Sequence, residues 1–304
     1  MVGFKRDYQG NAKKHHGPKP AAAPKSTVRN AYTPMFERLR DELDAHHDRR
    51  DRIGKASRDV TALSKKIIFS LQRVRQIDAS LPQDIQAEVD SRLAEIAKLL
   101  ASIAPEVQDI NRYRYSRSLF CLEELVEALT FSHYLKTQTL VDQAHLAQVV
   151  EDLARQGAAP EDEVMADAGA TPVPGPGEQA GQLAAEAPVI GITQEDYLYG
   201  VFDLTGEMMR FATTTSALTG RMASGDGQDE PRTIVEDMHD LGSLFEMLPH
   251  AGGGKNVTWE NKLEVMRQSV QKVEKLGYDR TIRGSERPKG WIPDLTTDDQ
   301  PNSP

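Results

Sequence analysis

A chain of 304 residues, 38% of them hydrophobic and 27% charged, can build a core and stay in solution, and its length suits one large helical domain with tails or two domains. No apolar run approaches the roughly 18 residues of a membrane span, and no apolar signal-peptide stretch follows Met1, so membrane-spanning and secreted classes are set aside. The formal net charge of −9 counts against an independent nucleic-acid binder, and the single Cys121 cannot close an internal disulfide, which fits a reducing compartment such as cytoplasm and nucleus.

Residues 1–33 read as a disordered basic tail. Residues 1–30 hold seven Lys or Arg against one Asp, and Lys13-Lys14-His15-His16-Gly17-Pro18-Lys19-Pro20 runs into an Ala/Pro stretch without periodicity. A solvated tail is the simpler reading of the run; a weak nuclear-import signal is the other. From Pro34 to Ile77 an apolar seam at helical period (Met35, Phe36, Leu39, Leu43, Ile53, Val60, Leu63, Ile67, Ile68, Leu71, Val74) predicts one long helix, with Gly54 a place to bend. Leu81-Pro82 ends that element, a second helix follows over Gln83–Ala104, and Pro105 opens a third that reaches Lys136. The fourth covers Val141–Arg155.

Residues 157–190 are rich in Ala, Gly, Pro and Glu, and residues 151–190 hold one Arg against eight acids; the segment reads as a long mobile insert loop. Thr193 is suited to cap a fifth helix that ends near Gly220. A sixth over Pro231–Leu248 and a seventh over Val257–Tyr278 complete the pattern. No strand-like alternation appears, so the expected fold is all-α, a seven-helix bundle over 34–287 with a loose polar tail at 288–304.

Two acidic patches interrupt otherwise apolar helical stripes. Glu123, Glu124 and Glu127 lie beside Leu122, Leu125, Val126 and Leu129; Asp203 and Glu207 lie beside Tyr197, Leu198, Val201, Phe202, Leu204 and Met208. Residues three or four apart share a helix face, so Glu124 with Glu127, and Asp203 with Glu207, each present paired oxygens next to buried surface. Unpaired carboxylates are costly there unless a cation or polar cavity compensates. Oxygen donors from two helices suit a hard cation, Mg²⁺ or Mn²⁺, and no His/Cys set with zinc spacing competes. Such acids also serve as ordinary partners for Lys or Arg, and Arg210 stands within one turn of Glu207. Gly200 and Gly206 weaken their helix and imply close approach of a neighbouring backbone or a ligand.

The stretches Leu122–Val141 and Gly191–Arg210, the latter carrying DYLYG followed by DLTGE, resemble the translin superfamily, as do Val273-Glu274 and Ile282-Arg283-Gly284-Ser285-Glu286. The resemblance spans about residues 34–290 and is to the translin-associated factor X branch, since translin carries non-acidic residues where this chain has Glu124, Glu127 and Asp203. It implies a helical subunit of a translin-containing hetero-oligomer, an octamer, with the Mg²⁺-dependent endoribonuclease activity called component three promoter of RISC. Single-stranded RNA would be the substrate, in passenger-strand removal or tRNA precursor processing. It places the catalytic metal ligands at Glu124, Glu127, Asp203 and Glu207 and leaves Glu123 as an additional acid.

Arg112, Tyr113, Arg114, Tyr115 and Arg117 alternate cation and aromatic just upstream of the glutamates. The pattern suits phosphate contact and base stacking, and equally an ordinary charged face with packed aromatics. Gly254-Lys255 lacks the remaining residues of a phosphate-binding loop, so no nucleotide cofactor is expected. His133 is expected to be packed or hydrogen-bonded. Two further classes stay open: a non-catalytic scaffold that stabilises translin, and a metal-free helical nucleic-acid binder.

Overall fold

The computed structural model describes residues 29–158, 188–225, 232–249 and 257–283. The expected disordered tails, most of the 157–190 insert and the Gly254-Lys255 loop fall outside the described residues. What is described is all-α: α1 (Thr33–Leu71), α2 (Gln83–Ile103), α3 (Ile110–Arg114), α4 (Cys121–Thr137), α5 (Gln143–Ala158), α6 (Gln194–Thr219), α7 (Ile234–Met247) and α8 (Val257–Arg283). No helix among the described residues is long and apolar enough to cross a membrane.

Seven of these are the long helices read from periodicity. The expected third helix, however, is not continuous from Pro105. A 3-10 turn at Ala104–Val107, the five-residue α3 and a second 3-10 turn at Ser116–Ser118 precede α4, and Asp109 between them takes a positive φ of 50°. Pro105 fits the first turn without an N–H to lose, but a non-glycine residue with positive φ cannot continue a helix. α1 stops at Leu71 instead of Ile77, and α8 runs on to Arg283.

The chain divides into two compact units, Met1–His47 and Asp48–Pro304. In the first, Asn30 closes a turn by accepting from the Tyr32 and Thr33 amides, and α1 begins with Met35, Phe36, Leu39 and Leu43 exposed. The anticipated apolar seam is therefore buried only from Ile53 onward, in the second unit, where Ile53, Val60, Leu63, Ile67, Ile68 and Leu71 join the core.

In that unit α4 is the central helix, with Leu122, Leu125, Val126, Ala128, Phe131 and Leu135 fully buried. A helix apolar on nearly every side must be enclosed by others. α4 packs on α6, α6 on α8, α7 on α8, and α2 on α5. α6 and α8 run in the same direction, since Lys262 meets Asp203 and Arg280 meets Ser216 further along both. α6 starts with the cap foreseen at Thr193: its Oγ1 accepts from the Asp196 amide at 3.1 Å while Asp196 accepts from the Thr193 amide at 2.8 Å, a reciprocal capping box. It ends at Gly220, whose φ of 75° is the left-handed geometry that glycine tolerates. A stacked Phe202–Phe245 pair (centroids 3.9 Å) and an edge-on Phe202–Trp259 pair (5.0 Å) join α6 to α7 and α8.

The two glycines of α6 differ. A Cβ at Gly200 would lie 2.4 Å from Val126 Cγ1 and 2.8 Å from the Glu123 carbonyl, so here α6 touches the α4 backbone as expected. A Cβ at Gly206 would meet nothing within 4 Å, and the close approach expected there is absent. Gly200→Ala should therefore cost about 1–3 kcal/mol of unfolding free energy through overpacking, and Val126→Ala should recover part of it. Gly206→Ala should be neutral or gain up to about 1 kcal/mol from helix propensity. Denaturant unfolding of the variants measures this; equal effects at the two positions would contradict a close approach confined to Gly200.

Candidate functional site

The close approach at Gly200 brings the acidic faces of α4 and α6 to a common region: Glu123, Glu124 and Glu127 from one, Asp203 and Glu207 from the other. Two further helices border it. From α1, the Lys65 ammonium stands 3.6 Å from Glu124, and Gln72 donates to Glu207 at 2.8 Å. From α8, Trp259 lodges against Tyr199 and Phe202, and Lys262, almost one turn later, reaches Asp203 with Nζ 2.7 and 2.6 Å from the two carboxylate oxygens. The same ammonium lies 4.0 Å from Glu123 Oε2 and 5.4 Å from the centre of the Tyr199 ring. The Arg210–Glu207 pair foreseen from spacing exists at 3.7 Å, a loose contact on an exposed arginine.

Glu127 is the exception among these acids. It is 9% exposed, and its carboxylate has no hydrogen-bond or ion-pair partner among the described residues. Burial, followed by the negative fields of Asp203, Glu124 and Glu207, pushes its pKa to about 8, so at neutral pH it holds a proton. Burial also raises Glu123 and Glu124, with Lys262 and Lys65 respectively drawing them back. Among the described residues no group of three or more His, Cys, Asp or Glu side chains is arranged to hold a metal ion. The donor chemistry nevertheless fits a hard divalent cation, because the positive charge the cluster needs is now supplied by a proton on Glu127 and an ammonium on Asp203.

The Translin family matches residues 48–284, beginning at the residue that opens the second unit. This chain belongs to the Translin family. It is 31% identical over 261 residues to Translin-associated protein X of Rattus norvegicus, covering 86% of this chain and 82% of that protein. Translin-associated protein X homolog of Schizosaccharomyces pombe is 26% identical over 254 residues (83% and 89% covered), and translin of Homo sapiens is 24% identical over 254 residues (82% and 92%). A solved structure described as "Crystal structure of apo-NeC3PO" superposes with a TM-score of 0.50 at 18% identity, covering 81% of this chain and 97% of that one, and so shares the fold.

Within this Translin-family chain the aromatic and basic stretch splits by role. Arg112 is drawn inward, its guanidinium 2.7 Å from the capping Asp196 at the start of α6, and Tyr115 is buried against Arg49. Tyr113, at 76% exposure, faces solvent along with Arg114 and Arg117. The stretch does not share a helix with the glutamates, contrary to the expected continuous element, and lies across the break before α4. His133 is hydrogen-bonded to Thr139, and the Cys121 thiol is buried, its pKa pushed up to about 11 by desolvation. Lys262 and Gln72 went unnoticed in the sequence. They lie 59 and 135 residues from their partners, and a lone lysine or glutamine in an amphipathic helix carries no local mark of its contact.

The state of Glu127 has a measurable consequence. Its folded pKa lies above the ordinary 4.5, so between that value and about 8 the unfolded chain has released a proton that the folded chain keeps, and stability falls as pH rises through this window. Glu127→Gln imitates the protonated form and removes the slope. With chelator present, the variant should melt like the wild type near about pH 5 and clearly higher near about pH 9. Parallel melting curves at all pH values would contradict the assignment.

Proposed function

We propose that this chain is the catalytic subunit of a metal-dependent endoribonuclease that cleaves single-stranded RNA within a hetero-oligomer, an octamer with a translin-type partner. The observation that carries the reading is Glu127, a carboxyl buried without a partner among three other acids, an arrangement that costs stability and serves no packing need. Relatives named for association with translin, and a fold shared with apo-NeC3PO, support the partner.

Glu124, Glu127, Asp203 and Glu207 would hold Mg²⁺, or Mn²⁺, which supplies Lewis-acid polarisation of a phosphate and a water of lowered pKa. Glu127 gives up its proton as positive charge enters. Gln72 orients Glu207 through its amide, leaving one Glu207 oxygen turned from it. Leu125, Val126, Leu204 and Met208, all fully buried, exclude water behind the acids and keep their field strong. Neither histidine nor cysteine is needed as a nucleophile. A scaffold that stabilises its partner without cleaving is the second reading, favoured by the Lys262–Asp203 and Lys65–Glu124 ion pairs, which satisfy two of the four acids internally.

The deciding experiment is cleavage of single-stranded RNA by the complex co-purified with the translin partner, with Mg²⁺ or with chelator. Glu127→Gln is a cleaner probe than Asp203→Asn, because it breaks no ion pair. It should keep assembly and melt no lower than the wild type while lowering cleavage by roughly a hundredfold or more, the equivalent of about 3 kcal/mol of barrier. Wild-type cleavage by this variant would leave the scaffold reading standing, and full activity in chelator would overturn the metal dependence.

A further inference from the structure

We propose that Lys262 is a displaceable internal cation of the acidic site, seated on Asp203 while no divalent ion is bound and moving to Glu123 when one arrives. This rests on the metal-binding reading above and adds to it a residue that sets cation affinity.

The ammonium lies 2.6 and 2.7 Å from the two oxygens of Asp203, taking one lone pair of each, so a second cation on this carboxylate would meet its charge at close range. It also has somewhere to go. Glu123 Oε2 is 4.0 Å from Nζ, too far for a hydrogen bond but within ion-pair reach, and Glu123 has no other partner among the described residues. In its present seat the ammonium also lies 3.5 Å from the Tyr199 carbonyl and 5.4 Å from the centre of the Tyr199 ring. The movement is confined to the end of the side chain, because Trp259 is wedged against Tyr199 and Phe202 and Leu263 is buried in the core, fixing the backbone on both sides. The extra acid of α4 is thereby accounted for, since Glu123, four residues before Glu127, offers Lys262 a resting place beside the cluster. A fixed ammonium beside a divalent ion would weaken it by charge repulsion; one drawn away from Asp203 onto Glu123 does so less and gains a counter-charge.

The test is Mn²⁺ binding to the full chain in complex with its translin partner, read from the electron paramagnetic resonance signal of free Mn²⁺, on wild type, Lys262→Met, Glu123→Gln and the double variant. Removing the internal cation should tighten Mn²⁺ binding roughly tenfold, the scale of coupling expected between ligands competing for one site. Glu123→Gln should weaken binding in the wild-type background, where Lys262 has lost its second seat, and have no effect once Lys262 is methionine. An equal loss in both backgrounds would show that Glu123 acts only through its charge and would overturn the proposal, as would unchanged or weaker binding by a normally melting Lys262→Met. If Lys262→Met fails to fold, Lys262→Gln, which removes the charge but keeps a polar end, takes its place with the same expectations. Binding absent from every protein, wild type included, overturns the metal reading itself; binding equal in wild type and Lys262→Met overturns only the role of Lys262.

Discussion

Burial of the Glu127 carboxyl between α4 and α6 is the constraint around which the rest of the site is arranged. A carboxylate removed from water must be neutralised, paired or kept protonated, and here it is kept protonated because its nearest charges are also negative. That outcome depends on how near α6 lies to α4. Gly200 permits the contact with Val126 and the Glu123 carbonyl, and the Phe202–Phe245–Trp259 cluster holds α6 in position from the other side. A larger residue at position 200 would press on Val126 and the Glu123 carbonyl and force α6 away from α4, loosening the enclosure of Glu127.

The compensating groups come from helices distant in sequence: Lys65 and Gln72 from α1, Lys262 from α8. Partly exposed ion pairs contribute little to stability, and an acid buried without a partner contributes nothing. An all-apolar junction of α4 and α6 would hold this fold at least as well. The acids are consequently a cost to stability, and their presence calls for a ligand, a substrate or a reaction to account for it.

Periodicity in the sequence was enough for the class and for the seven long helices, because apolar spacing, Pro82 and the Thr193 cap act locally. It was enough as well for each acidic face taken singly, since each lies within one turn of its own helix. It failed where a contact or a backbone state is set by tertiary structure. Asp109 adopts a positive φ that no propensity announces, so the expected helix from Pro105 breaks before α4. Arg112 resembles a phosphate-binding residue until the N-terminus of α6 is brought against it, whereupon it becomes a structural partner of Asp196. Gly200 and Gly206 read alike in sequence and differ only in what stands opposite them. Lys262 is the clearest case: its contact depends on the packing of Trp259, which no local pattern encodes.

The acidic character of the chain bears on how a polyanion would be handled under the proposed function. With a net charge of −9, the body repels phosphates at long range, and of the alternating stretch only Tyr113, Arg114 and Arg117 face outward. A substrate strand would have to be drawn in by positive charge from elsewhere, either a partner subunit or a cation at the carboxylates. A divalent ion there would offer a phosphate oxygen a positive partner at a place that otherwise presents only acids and their internal cations. Recognition and chemistry would then depend on the same ion, and the proton on Glu127 together with the ammonium on Asp203 would keep the cluster folded in the interval before that ion arrives.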